Sequence, residues 1–319
     1  MGSVLPFPSP AAKGGLVMQD PAPAATARTG RTAFAALIVA NIFLAFGPWM
    51  VRLAGEGGVG PTAAAFWRLA LAIPFLLLLM RAGSKGRLRI GRGMAVVIIL
   101  GGLFFAADLA AWHYGIVRTK LANATLFGNM ASLLFPFYGF LIARALPGKV
   151  ETGALLIAIV GAALLLGSSY ELSADHFEGD LFALLAGLFY TFYLIVIDRA
   201  RRTLAPMPVL ALATIAGTLP LLLLALALGE TITPQDWTPL LLLSLGSQVI
   251  GQGLLVYAVG HLSPRVVGLG LLTQPAITAA NGWLAYGERL SPVDFIGGIL
   301  ICAALVLIRL PERAPPGLR

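Results

Sequence analysis

The sequence is short of charge. Asp, Glu, Lys and Arg make up only 11% of its 319 residues, where a soluble domain carries about 25%. Hydrophobic residues reach 58% and mean hydropathy is +0.89. So few charges cannot cover a molecule with water, and lipid must be its main solvent. Cys302 is the only cysteine, which excludes an intrachain disulfide and a cysteine-based metal cluster. The three histidines, 113, 176 and 261, are scattered. The chain lacks a Gly-x-Ser-x-Gly elbow, an HExxH zinc motif and a GxxxxGK[ST] phosphate loop. No enzyme, cofactor, metal or self-contained ATP-driven pump is expected. A formal charge of +8 would suit a nucleic-acid partner, but the placement of the basic residues points to a membrane instead.

Long apolar runs are what the chain does have. A spanning helix needs about 20 mostly apolar residues, and ten segments qualify. They are 32–53, 61–80, 93–114, 121–143, 150–168, 179–198, 206–229, 237–259, 264–286 and 292–310. The expected class is therefore an all-α polytopic membrane protein. Residues 1–31, rich in Pro, Ala and Gly, read as a disordered cytosolic tail, and 311–319 as a second cytosolic tail. With the N-terminus inside, the inner loops hold Arg81, Lys85, Arg87, Arg89, Arg92, Arg144, Lys149, Arg199, Arg201, Arg202 and Arg265. The loops 169–178 and 230–236 have no Lys or Arg. The positive-inside rule then puts both termini in the cytosol.

Spans 1–5 and 6–10 resemble each other in order. FAALIVANIFLAFGPWMVR in span 1 aligns loosely with FALLAGLFYTFYLIVIDR in span 6. Five is odd, so two such units in series enter the membrane from opposite sides. The expectation is two inverted five-helix repeats, 32–168 and 179–310, an architecture of secondary transporters. Pro136 in span 4 and Pro275 in span 9 mark candidate hinges beside the substrate path. Small residues in span 5 (Gly153, Ala158, Gly161) and span 10 (Gly297, Ala304) suit close packing, within the chain or in a homodimer.

Polar side chains recur on one face of several spans. Span 4 carries Thr125, Asn129, Ser132 and Pro136, span 9 carries Gln274, Thr278 and Asn281, and span 8 carries Ser244, Gln248 and Gln252. Asn41 sits in span 1. Interhelical hydrogen bonds would explain any one of these amides; stripes on four helices together suggest a shared cavity. Trp67 and the mid-span Tyr190 and Tyr193 are candidate aromatic wall. Arg68 and Asp108 are charged residues within spans 2 and 3, at matching depths of roughly 9–10 Å by helical rise. Three readings of Arg68 stay open: an ion pair with Asp108, a bidentate seat for a substrate carboxylate with Asp108 coupling protons, and snorkelling to the interface.

These residues also resemble a family. Pro61 with Arg68, the stretch GDLFALLAGLFYTFYLIVIDR at 179–199, and Pro275, Gly287, Glu288 and Gly297 in the closing stretch are similar to the EamA-type drug/metabolite transporters. The residues 143–151, ARALPGKVE, depart from the family's Gly-Glu after span 4. The resemblance implies a bacterial inner-membrane exporter of small metabolites. Uncharged amides and hydroxyls in the stripes suit polar or zwitterionic solutes, amino acids foremost and aromatic ones among them. Partners would be the solute, the bilayer and a proton or other coupling ion. A lipid-headgroup or drug flippase of the same fold and a passive channel are the alternatives.

Overall fold

The computed structural model describes residues 23–83, 90–131, 134, 148–201, 203–259, 261–262, 271 and 273–307. Helices account for nearly all of them. In chain order they are α1 (Pro23–Glu56), α2 (Pro61–Ala70), α3 (Ile73–Gly83), α4 (Arg92–Ile116), α5 (Leu121–Gly128), α6 (Lys149–Leu172), α7 (Ala174–Arg201), α8 (Pro206–Ala227) and α9 (Thr238–Leu242). A π-helical segment (Leu243–Gly251) follows, then α10 (Gln252–Val259), α11 (Thr273–Tyr286) and α12 (Pro292–Leu307). Among the described residues, six helical segments are long and apolar enough to cross a membrane, and 152–165 and 292–304 are shorter apolar helices. Spans 4 and 9 are described only in part, by α5 and α11.

Two boundaries differ from expectation. Helix α1 reaches back to Pro23, into the stretch read as tail, because Pro fits a first helical turn and Ala favours helix. The ten-residue loop expected at 169–178 shrinks to the joint at Ser173 between α6 and α7. Ser173 Oγ accepts the His176 N–H at 3.2 Å and so caps α7.

The order of packing has internal symmetry. Helix α4 packs on α7, and its counterpart α1 packs on the π segment and α10; α5 packs on α7 as α1 packs on α11. Three further pairs, α2 with α8, α5 with α11 and α6 with α12, are their own counterparts. These contacts are preserved when span n is exchanged for span n+5, as inverted repeats would have it, whereas α6 on α7 has no comparable counterpart between α12 and α1 among the described residues. Glycines permit the close crossings. A methyl on Gly102 of α4 would lie 2.5 Å from Ala216 Cβ and 2.7 Å from Ala213 O of α8. Gly161 of α6 meets Gly297 of α12 just as closely, backbone to backbone, whereas Gly153 faces open space. The small residues of spans 5 and 10 thus serve packing within the chain.

Burial runs opposite to a soluble protein. Leu78, Leu219, Leu284 and Ile299 point outward and are more than half exposed, whereas Asn41, Gln248, Ser244 and Asp180 are fully buried. Apolar outside and polar inside is the arrangement lipid demands.

Candidate central cavity

Three irregular stretches of backbone surround the middle of the bundle. Span 2 breaks at Leu71–Ala72, between α2 and α3, because Pro74 has no N–H to continue the ladder. Span 4 turns at Asn129–Met130, immediately after α5. Span 8 widens into the π segment, which places Ser244, Ser247 and Gln248 in the interior. Irregular helix at membrane depth is tolerated where protein or a cavity covers it. Helix α11 is described from Thr273, so that Pro275 stands in its first described turn, and Thr278 Oγ1 donates to Gln274 O (2.9 Å) and Pro275 O (3.1 Å) of its own helix. Among the described residues the irregularity lies at 71–72, 129–130 and 243–251; Pro136, and residues 263–270 and 272 on the N-terminal side of Pro275, lie outside them.

A cavity of about 80 Å³ lies among these stretches, with Arg68, Asp108, Asn129, Tyr190, Gln252 and Gln274 on its polar side. Leu44, Phe105, Leu109 and Trp112 are among its apolar wall. Six of the expected site residues therefore converge, from six separate spans. Asn41 stands behind Gln274, accepting its Nε2–H at 2.9 Å. Gln252 lies near the Tyr190 hydroxyl on this wall.

Arg68 occupies the last turn of α2, where the helix dipole favours a cation. It is 3% exposed, so it does not snorkel. Its Nε donates to Gln248 Oε1 at 3.2 Å, and Gln248 Nε2 donates to Thr214 Oγ1 at 3.2 Å. The guanidinium lies 5.8 Å from the centre of the Trp112 ring, a cation–π distance. Its Nη1 is buried with no hydrogen-bond partner, as is Nδ2 of Asn129. The expected direct ion pair with Asp108 is not made. Among the described residues the ion pairs within 4.0 Å join Arg52 to Glu288, Arg118 to Glu178 and Lys120 to Asp294. Helical rise matched the depths of Arg68 and Asp108; the rotation of α2 and α4 leaves the two charges facing one cavity without touching.

Four expected site residues lie elsewhere. Trp67 turns away to donate its indole N–H to Ile232 O at 2.7 Å and packs edge-on to Trp237. Tyr193 is buried between Phe105 and Tyr190, with stacked rings 4.7 and 5.5 Å apart. Thr278 back-bonds as above, and Asn281 Nδ2 donates to Ala45 O at 3.2 Å, tying α11 to α1. Of the stripe on span 9, only Gln274 reaches the cavity. Trp112 was missed as a wall residue. Its indole N–H donates to Ala124 O at 3.0 Å, which holds the ring across the mouth of α5.

One end of the bundle is fastened by charges. Arg52 of α1 pairs with Glu288 and also donates to Ile116 O and Thr119 O, with the Tyr286 ring 4.9 Å away. Glu288 Oε2 accepts the Leu121 N–H at 3.0 Å, capping α5. Glu230 Oε2 accepts the Ala63 N–H at 2.8 Å, capping α2 in the same way. Both glutamates follow a left-handed glycine, Gly229 (φ +68°) and Gly287 (φ +63°), which reverses the chain and aims the carboxylate at a neighbouring helix. Nearby, Thr119 and Asn123 donate to Asp180 of α7. Lys120 reaches Asp294, which forms a capping box with Ser291 at α12.

Comparison with known proteins agrees with this architecture. Residues 177–310 match the EamA-like transporter family. The chain is similar to the threonine/homoserine exporter RhtA of Escherichia coli K12, 27% identical over 233 residues, which cover 66% of this chain and 79% of that one. It is also similar to the uncharacterized transporter YdfC of Bacillus subtilis, 24% identical over 257 residues, 77% and 81% of the two chains. A solved crystal structure superposes with a TM-score of 0.57 at 17% identity, covering 88% of this chain and 95% of that one. That likeness concerns the fold.

Proposed function

Because the chain is an EamA-type permease of the drug/metabolite transporter superfamily, we propose that it exports small amino acids across the bacterial inner membrane by alternating access. The observation that carries this reading is the central cavity, where Arg68, Asp108 and uncharged amides meet at the seam of the two repeats. RhtA is named for threonine and homoserine, so small hydroxylated amino acids are the first solutes to try. The size of the cavity, about 80 Å³, holds only a handful of water-sized groups and favours small side chains over aromatic ones in this conformation.

The fastened end gives the second half of the mechanism. The basic loops on the opposite side favour an outward orientation for it, with both termini in the cytosol. Arg52–Glu288 and the capping of α2 and α5 by Glu230 and Glu288 then close the cavity to the outside. Releasing a solute outward requires these contacts to part while the cytosolic end closes, an exchange that inverted repeats permit.

The test is counterflow of labelled L-threonine in proteoliposomes of the full chain, with and without an imposed pH gradient. Saturable exchange supports the reading, and its response to the gradient decides proton coupling. Linear, non-saturating flux would indicate a channel. Lipid exchange without solute flux would indicate a flippase.

A further inference from the structure

We propose that the central cavity is a zwitterion clamp, in which Arg68 and Asn129 take the substrate carboxylate and Asp108 takes its ammonium group. The inference rests on the transport reading above and adds which atoms recognise the solute. It starts from what the cavity leaves unmet. Buried donors in folded proteins nearly always find an acceptor, yet Arg68 Nη1 and Asn129 Nδ2 have none. Both residues line the cavity. On the same wall Asp108, 8% exposed, has no cation within 4.0 Å and accepts no hydrogen bond among the described residues.

The chemistry of the missing guest follows by elimination. A simple anion would satisfy Arg68 and Asn129 but would sit beside the Asp108 carboxylate in a low-dielectric site. A simple cation would satisfy Asp108 and be repelled by Arg68. A neutral polyol would leave both charges unpaired. An α-amino acid brings one carboxylate and one ammonium a few ångströms apart, and so completes both at once. Arg68 is prepared for that task, because Gln248 holds Nε at 3.2 Å and Trp112 lies under the guanidinium. Nη1 is left for one carboxylate oxygen while Asn129 Nδ2 serves the other. The side chain is left to the apolar wall of Leu44, Leu109 and Leu255.

The test uses the full chain in proteoliposomes with labelled L-threonine and L-alanine. The competitors are L-threonine methyl ester, which masks the carboxylate, and N-acetyl-L-threonine, which masks the amine. Wild-type protein should discriminate against each masked form by at least about tenfold, since a site built to hydrogen-bond a group rejects analogues lacking it. Arg68→Gln should lose zwitterion uptake by at least about tenfold and lose its discrimination against the ester. Arg68→Lys, keeping the cation, should retain part of both. Asp108→Asn should lose discrimination against the N-acetyl form. Each variant is compared only where it elutes as a monodisperse peak with wild-type melting behaviour. Masked forms competing as well as L-threonine in wild-type protein would overturn the clamp while leaving transport intact. So would saturable flux of a singly charged solute that neither L-threonine nor L-alanine inhibits. Lipid exchange with no solute flux would overturn the transport reading itself.

Discussion

Two arginines, sixteen positions apart in the chain, define two regions of different kind. At the fastened end every nitrogen of Arg52 is bonded. Its Nε, Nη1 and Nη2 reach Ile116 O, Glu288 and Thr119 O, and an aromatic ring lies against it. In the cavity Arg68 is more deeply buried, at 3% exposure, and still has a free Nη1. A cation with every nitrogen engaged holds helices together. One that keeps a donor open at the cost of burial keeps it for something that comes and goes.

The comparison can be broken in several ways, beginning with the packing that supports both regions. Gly102→Leu should have the largest effect. The α4–α8 crossing has no room even for a methyl, so overpacking of more than about 3 kcal/mol is expected as loss of the monodisperse peak on gel filtration. Next comes Glu288→Ala, which removes the partner of Arg52 and the cap of α5 together. A loss of about 2–3 kcal/mol should appear as a lower melting temperature in detergent. Arg52→Gln should lower melting by a somewhat smaller amount, about 1–3 kcal/mol, without changing selectivity among solutes. Arg68→Gln should do the reverse, sparing the melting temperature while abolishing selectivity. Equal melting losses for the two arginine variants would erase the distinction. Trp67→Phe removes the bond to Ile232 O and trims the edge-on contact with Trp237, and about 1 kcal/mol of stability with unchanged uptake is expected. Thr278→Val should be nearly silent in both assays, since its hydroxyl bonds only to its own helix.

The sequence made the membrane class, the doubled helical plan and the spans that the structure describes legible, because each depends on run length, charge placement and parity. It also placed Arg68, Asp108, Asn129, Tyr190, Gln252 and Gln274 around one interior. Periodicity of that kind identifies a face and stops there. Thr278 and Asn281 share a face with Gln274, but α11 meets α1 along it, so packing rather than periodicity decides which amide reaches the cavity. Helical rise gave Arg68 and Asp108 their common depth and no information on rotation, hence the expected contact that is not made.

The fastened end was harder to see. Arg52 and Glu288 are 236 residues apart, and no local pattern announces a pairing at that distance. The repeated Gly-Glu at 229–230 and 287–288 was a usable signal, since a left-handed glycine before a carboxylate aims it away from its own helix. Among the described residues the interrupted backbone lies at 71–72, 129–130 and 243–251. Of these only the first has a proline, Pro74, beside it. Helices bend where the interior needs room, and proline is one of several ways to allow it.

The central claim is that a wet chamber, reached by solute, lies at the seam of the repeats. Thiol labelling of Asn129→Cys in a Cys302→Ser background tests it most directly, with Leu156→Cys on the lipid face as the control. A small water-soluble thiol reagent should modify the cysteine at 129 and leave that at 156 untouched, and L-threonine should slow the first reaction. A cysteine at 129 that stays inert, or that reacts at the same rate whether or not amino acid is present, would contradict the account.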